Sequence, residues 1–381
     1  MIPVSSGRNM ATPETALSQR LVSLDAFRGL TIAAMILVNN PGSWGAVYPP
    51  LAHAEWHGWT PTDLIFPFFL FIVGVSMTFS FAKRLEASDR SHLYRQVFRR
   101  SAIIYGLGLL LSAFPDFDIG NLRYVGVLPR IALVYLATSL IVLNLSRRMQ
   151  VWVFWGLLLV YWGLIKLVPV PGMGAGVLTP EGNLAGWIDS VVLPGRLYQG
   201  TWDPEGLLST LPAIATALSG VFTGYWLQSG RDKLEIVRGM FAAGGVAVAL
   251  GLVWDLWFPI NKNLWTSSYV LFTSGAALVC LAVCYWLIDV RGYRKWARPA
   301  EVFGVNAIAV FVLSGLVTRL LIRIRVPGDP DPIALKQWIF ETFFASWASP
   351  TNASLAYAVT YLLFWWAMIS AGRPTGCTPG F

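Results

Sequence analysis

Ten separate stretches of this sequence are apolar for long enough to cross a bilayer, and that pattern leaves a chain very few folds. A hydrocarbon core about 30 Å thick takes roughly 20 residues of helix to span. No water reaches that core to complete backbone hydrogen bonds, so a crossing segment satisfies them internally, as a helix does. The stretches run over residues 24–38, 62–82, 97–114, 125–145, 151–168, 207–227, 240–258, 267–288, 302–321 and 353–370. Charged residues make up 13% of the chain, about half the usual ~25% of a soluble domain. The 18 Trp residues suit the headgroup level, where amphipathic rings are favoured. The expected fold is an all-α integral membrane protein with about ten transmembrane helices.

Lys and Arg set the orientation, because short cytoplasmic loops retain an excess of cations. With the N-terminus inside, 19 of the 28 cations fall in cytoplasmic segments and nine outside. Ten crossings then return the C-terminus to the inside. Residues 1–20 carry Ser5, Arg8, Glu14 and Arg20 and no apolar signal-peptide region, so they read as a disordered cytoplasmic lead. Residues 21–371 form the transmembrane domain and 372–381 a cytoplasmic tail. An aromatic run over 333–347, interrupted by Lys336 and Glu341, reads as an interfacial or re-entrant helix before the last crossing. No internal repeat is visible, which disfavours a transporter built from two matched halves.

The net charge of +8 comes from these loop cations and excludes nucleic acid as a partner. Cys280 and Cys284 stand one helical turn apart in an apolar run and read as small hydrophobes. Two thiols fall short of a zinc site's usual four ligands, and no metal is expected. Walker, GxGxxG and HExxH patterns are all missing, which excludes the soluble nucleotide-binding folds.

Chemistry-bearing residues collect in a few places. His53 and His57 flank Trp56 in L-A-H-A-E-W-H-G-W-T, just ahead of the second crossing. An imidazole takes and returns a proton near neutral pH. Asp63 stands at the mouth of that crossing, placed either to cap the helix or to orient an imidazole. Asn39 and Asn40 end the first crossing and point toward the same loop, while Asp25 and Arg28 pair on one face at its start. Arg130 lies inside the fourth crossing, where it anchors an anionic ligand or pairs with Asp63 or Asp255. Asn306 lies inside the ninth, where a hydrogen bond to another helix is expected. The loop over 83–100 holds six cations, Arg84, Arg95, Arg99 and Arg100 among them. Positive-inside topology accounts for them, and so does a collar for a cytosolic polyanion such as the phosphates of coenzyme A.

Several runs resemble the heparan-α-glucosaminide N-acetyltransferase family: R-L-V-S-L-D-A-F-R-G-L-T-I, V-N-N-P-G and H-A-E-W-H-G-W-T-P-T-D-L-I-F-P-F-F-L-F-I-V-G. R-Y-V-G-V-L-P-R-I-A-L and D-P-E-G-L-L-S-T are similar to later signatures, and the resemblance extends over residues 20–370. It implies a transmembrane acetyltransferase domain over 21–371 that moves acetyl from cytosolic acetyl-CoA to the amine of a glucosamine-type sugar across the membrane. The family's essential histidine falls on His53 and an active-site asparagine on Asn39. Asp63 is then the imidazole's orienting partner, and Arg84, Arg95, Arg99, Arg100 and Arg130 the candidate donor-binding cations. Acetyl-CoA is the expected cosubstrate, with the amino sugar and the lipid bilayer as partners and a homodimer open to it. A periplasmic amino sugar and a multi-pass place in a bacterial inner membrane suit a chain of this kind. Ser314 and Gly315 stand where lysosomal members carry a His-Glu pair, and the luminal region and crossing that precede this block in those members have no counterpart here. The alternatives are an O-acyltransferase acting on surface polysaccharide and a permease for a sugar or lipid-linked sugar.

Overall fold

Each expected crossing coincides with a helix in a computed structural model of the protein, which describes residues 21–87, 90–328 and 331–371. The expected lead over 1–20 and tail over 372–381 lie outside the described residues. The helices are α1 Val22–Asn39, α2 Ile65–Ala87, α3 Arg90–Ala113, α4 Val127–Asn144, α5 Arg147–Leu167, α6 Leu184–Val192 and α7 Thr210–Leu227. They continue with α8 Lys233–Asp255, α9 Ser267–Tyr285, α10 Arg298–Val305, α11 Ala307–Arg323, α12 Leu335–Phe340 and α13 Pro350–Ala371. Among the described residues, seven helices are long and apolar enough to cross alone (α1, α2, α4, α5, α8, α9 and α13), and the bent pair α10–α11 makes an eighth. The other two expected crossings are α3, which carries Arg95, Arg99 and Arg100 in its first half, and α7, which holds Pro212 and several small polar residues. The chain is a multi-pass membrane protein.

The helices sort by which neighbours they meet. α2 packs on α7, α9 on α8, α3 on α4 and α1 on α10. Leu70, Ala213, Leu218, Tyr269 and Val270 meet in the main core and are almost fully enclosed. α5 and α8 lie outermost, with Leu159, Val160, Val246, Leu250, Leu252 and Val253 exposed. A surface this apolar is stable against lipid chains and not against water.

Two features shape the bundle around the site, a break beside the start of α1 and a set of loops at the other end of α1, among them the one that carries His53. The ninth crossing, expected as one helix, breaks at Asn306, and α10 and α11 diverge by 70°. Asn306 leaves the helical region at φ −107° and ψ 19°. Its side chain does not reach another helix as expected; Nδ2 donates to the Val302 carbonyl at 3.1 Å. A short amide answers a carbonyl that the break has orphaned, which is why a polar residue sits there. On the near side of the break, α10 lies against α1 at backbone distance. A Cβ on Gly29 would overlap the Ala300 carbonyl, and one on Gly304 the Asp25 carbonyl. Asp25 and Arg28 form the expected pair at 3.0 Å, and Arg28 also donates to Ser76 Oγ at 2.6 Å.

Loops close over the other end of α1, where His53 lies. Pro169–Val170 pairs with Gly174–Ala175, Arg325–Val326 with Ile333–Ala334, and α6 lies within the Gly/Pro-rich stretch between α5 and α7. The aromatic run forms α12 and a wider turn that carries it to Ala345, as a short non-crossing helix. Lys336 Nζ donates to the Pro41 carbonyl at 2.9 Å and so ties that helix to the end of α1.

Candidate active site

The segment T-P-T-D folds as a single helical turn (Pro61–Leu64) in front of α2, with Thr60 and Asp63 forming a reciprocal capping box. Proline at the first position fixes its own φ and loses no hydrogen bond there. Asp63 is buried, 1% exposed, and its two oxygens divide the work. Oδ2 accepts from the backbone N–H groups of Ala54 and Thr60, both at 3.0 Å, and from Thr60 Oγ1 at 3.2 Å. Oδ1 is left for His53 Nδ1, 2.7 Å away. Capping and imidazole orientation, which the sequence sets as alternatives, are therefore both performed by this one carboxylate. The Tyr269 hydroxyl donates to the Asp63 carbonyl at 2.5 Å and fixes the turn against α9. With Nδ1–H donated to Asp63, Nε2 is the unprotonated nitrogen of a ring that is 46% exposed and lines two cavities.

Lys262 approaches the same ring from the loop between α8 and α9. Its Nζ lies 3.0 Å from Nδ1 and 3.2 Å from Nε2 of His53, and 3.6 Å from Asp63 Oδ1. Burial draws Lys262 below the ordinary lysine range, against the attraction of Asp63 and Glu205. His57 turns away to Asn261, whose Nδ2 donates to its Nδ1 at 3.3 Å. Burial lowers His57 from its ordinary value, with Asp255 opposing. The loop that carries both histidines is fastened at several points: Gly58 N–H to the Ile260 carbonyl at 2.8 Å, Trp56 Nε1 to the Leu178 carbonyl at 2.6 Å, and the Trp56 ring against Trp202.

A second polar cluster ties two distant stretches together across this end. Arg123 donates through Nε and Nη2 to Asp203 at 2.7 and 2.6 Å, and through Nη2 to Glu205 at 2.6 Å. Burial opposes the guanidinium charge, but Asp203 and Glu205 outweigh it and hold Arg123 above its ordinary range. Planar two-point pairing of this kind fixes orientation as well as distance. It joins R-Y-V-G to D-P-E-G.

Two cavities, about 610 Å3 and about 400 Å3, meet at His53, Asn39, Arg123 and Tyr198. The larger runs between α1, the C-terminal end of α3, the start of α4, and α11, past Ser112, Ser314, Gly315 and Arg319. The smaller reaches toward Glu55, Trp202, Glu205 and Lys262. A space in two parts with one imidazole where they join can bring two substrates to one proton carrier. Among the described residues, no group of His, Cys, Asp and Glu side chains is arranged to hold a metal ion.

Residues 20–251 match the family described as "Heparan-alpha-glucosaminide N-acetyltransferase, catalytic". The chain belongs to this family. It is 31% identical over 357 residues to human heparan-alpha-glucosaminide N-acetyltransferase, covering 78% of this chain and 53% of the human one. The mouse protein of the same name is 30% identical over 361 residues, covering 79% of this chain and 54% of that protein. The chain thus spans about half the length of the curated relatives it matches.

In this member of the heparan-alpha-glucosaminide N-acetyltransferase family, the structure brings together three of the residues singled out in sequence. His53 and Asp63 are in contact, and Asn39 lines both cavities from the last turn of α1. Arg95, Arg99 and Arg100 are exposed on the opposite half of α3, and the Arg84 side chain lies outside the described residues. Twelve helical positions separate Arg100 from Ser112, roughly 18 Å at the α-helical rise. Arg100 also lies over the Tyr135 ring, 5.1 Å from its centre. Arg130 meets neither Asp63 nor Asp255. It is buried beside Trp265, and Nη2 donates to the Gly206 carbonyl at 2.9 Å and to Ser209 Oγ. It lines neither cavity, and its contacts are with the start of α7.

Sequence reasoning missed Lys262, Arg123, Arg196 and Arg319. All four line the cavities. One signal was available: each belongs to the nine cations that fall outside the expected cytoplasmic segments. A cation retained against the topological bias marks a local need for charge.

Proposed function

We propose that the protein is a transmembrane N-acetyltransferase that transfers acetyl from cytosolic acetyl-CoA to the amine of a glucosamine-type sugar on the periplasmic side of a bacterial inner membrane. The observation that carries this reading is the His53–Asp63 pair at the junction of two cavities, in a chain of this family. Asp63 holds the Nδ1–H tautomer, so Nε2 is the atom that works. As general base, Nε2 takes the proton of the attacking amine as its nitrogen bonds to the acetyl carbon; the C–S bond then breaks and the proton passes to the departing thiolate. As nucleophile, Nε2 bonds to the acetyl carbon while the C–S bond breaks and coenzyme A leaves as the thiolate; the amine then bonds to that carbon, the bond from the carbon to Nε2 breaks, and the amine proton passes to the freed Nε2. Asn39, exposed at the end of α1, offers an amide N–H to the carbonyl oxygen as charge builds on it.

The donor's placement follows from α3. Its phosphates meet Arg95, Arg99 and Arg100, joined by Arg84 from the end of α2, and its extended arm follows α3 to the larger cavity. Arg130 acts in this scheme by seating the start of α7 through Gly206 and Ser209. A homodimer is the assembly to be tested by mass in detergent.

The deciding assay is acetyl transfer by purified protein to a panel of amino sugars, with the product bond identified by mass spectrometry. An amide product and loss of transfer in His53→Ala support the reading. An ester product assigns the protein to O-acyl transfer, and uptake of the sugar by proteoliposomes of the same protein without any acetylated product assigns it to transport. His57→Ala is expected to cost far less than His53→Ala, since His57 faces Asn261; the opposite ranking would overturn the choice of histidine.

A further inference from the structure

Lys262 has no structural task in view. Among the described residues, the hydrogen bonds and ion pairs of its ammonium run to His53 and Asp63. Its side chain is only 16% exposed. Enclosing an ammonium costs several kcal/mol unless its neighbours return that energy. The nearest anion, Asp63 Oδ1, is 3.6 Å away and already bonded to His53 at 2.7 Å. A lysine that served only to neutralise Asp63 would sit closer to it than to the imidazole. Here the order is reversed: both ring nitrogens, at 3.0 and 3.2 Å, are nearer than the carboxylate.

The position has a chemical meaning. Nε2 is the ring atom not engaged by Asp63, and Nζ lies 3.2 Å from it on the wall of the smaller cavity. An acetyl carbon reacting at Nε2, or at an amine whose proton Nε2 is taking, carries its oxygen within hydrogen-bonding reach of Nζ. Asn39 lines both cavities at the same junction. An amide and an ammonium facing one reacting carbonyl make a two-donor site for its negative charge.

We infer that Lys262 is a catalytic residue, the cationic donor that holds the carbonyl oxygen of the transferring acetyl group beside His53. This rests on the acetyl-transfer reading above. Lys262 donates a hydrogen bond and keeps its proton; the amine proton goes to His53 Nε2, so the two groups do not compete for one task. The ionisable and charged groups that face Lys262 are Asp63 from the turn before α2, His53 from its loop, Glu205 from the segment before α7, and Arg130 from α4. Burial pulls Lys262 below the ordinary lysine range, so loss of its proton places an alkaline limit on turnover below that range.

The test compares wild type, Lys262→Met and Lys262→Arg in transfer from acetyl-CoA to glucosamine, with kcat and the donor KM measured from pH 6 to pH 10 (about the titration range of interest). Lys262→Met is expected to lower kcat by about a hundredfold or more, the loss typical of one such donor, with the donor KM within about threefold. Lys262→Arg keeps the charge and should recover at least about tenfold of that loss. Its alkaline limb should vanish, because a guanidinium does not titrate there. Equal kcat in wild type and Lys262→Met, or an alkaline limb unmoved in Lys262→Arg, overturns the inference while leaving the acetyl-transfer reading intact. Loss of thermal stability in Lys262→Met together with unchanged chemistry per folded molecule assigns a structural role and also overturns it. A wild-type protein that transfers acetyl to no amine removes both.

Discussion

Replacing Asp63 by asparagine isolates the imidazole's tautomer from everything else this carboxylate does. Oδ2 faces two backbone N–H donors, from Ala54 and Thr60, at 3.0 Å each. The amide oxygen of the introduced asparagine has to take that place, because turning the NH2 toward two N–H groups would set donors against donors. The NH2 then lies where Oδ1 stood, 2.7 Å from His53 Nδ1. An NH2 donates, so Nδ1 has to accept and the ring proton moves to Nε2. The atom that should take the amine proton is then already protonated. Recovering the working tautomer would bring two N–H groups together and forfeit a charge-assisted bond, a combined cost of about 3–5 kcal/mol. At about 1.4 kcal/mol per decade, kcat should fall by about two to four orders of magnitude. The capping bonds survive, as does the Tyr269 bond to the main chain, but Lys262 loses its nearest anion, so the thermal midpoint should fall and the rate is read per folded molecule. The measurement is single-turnover transfer with saturating donor, beside a melting curve in the same detergent. An Asp63→Asn protein that keeps kcat within about threefold of wild type would refute the tautomer argument.

Three further outcomes follow from the same structure. His53→Ala and the double variant His53→Ala/Asp63→Asn should show the same residual rate, because removing a base that is already disabled adds nothing; a further loss would mean that the two act separately. Neutralising Arg99 and Arg100 together should raise the donor KM several-fold with little change in kcat and a shallower salt dependence, and an unchanged donor KM at low salt would leave them as topology determinants. Burial pushes Asp189 up to about 7, with the Leu207 N–H and Arg130 opposing. Folded protein therefore keeps its proton where unfolded chain has lost it, so this stabilisation is complete below the ordinary carboxylate value, near 3.8, and lost as pH rises to about 7. Melting curves over that window should slope downward for wild type and less so for Asp189→Asn; parallel slopes would count against it.

The architecture was legible because crossing segments announce themselves by length and apolarity, which need no partner to be read. All ten expected stretches coincide with helices. The ends moved where local polarity permits extension: α3 begins at Arg90 and not at 97, since its cationic first half is helical too. The break at Asn306 was not legible, because an Asn in an apolar run reads equally as a contact between helices. In the site, His53 and Asp63 stand ten positions apart on one short loop, and local sequence carries their meeting. Lys262 comes from 209 positions beyond His53, and Arg123 meets Asp203 across 80. Such encounters are created by helix packing, and no spacing rule within either loop encodes them.

The kink between α10 and α11 can be understood as the feature that makes room for two substrates at all. α10 is fastened to α1 through Gly29 and Gly304, and a straight continuation would keep α11 equally close along the rest of α1. Departing by 70°, α11 leaves that seam, and the larger cavity runs between its flank and that of α1, with Thr318 Oγ1 donating to Asn40 Oδ1 at 2.6 Å where the two helices meet again. The void is thus subtracted from a helix-to-helix seam and finished by loop residues such as Trp44, His53, Arg123 and Tyr198. Relatives that differ in their loops but keep this break should share a hollow of similar width and differ in what they admit at its mouth. A substitution that straightens the ninth crossing should close the hollow without touching a single residue of the histidine loop.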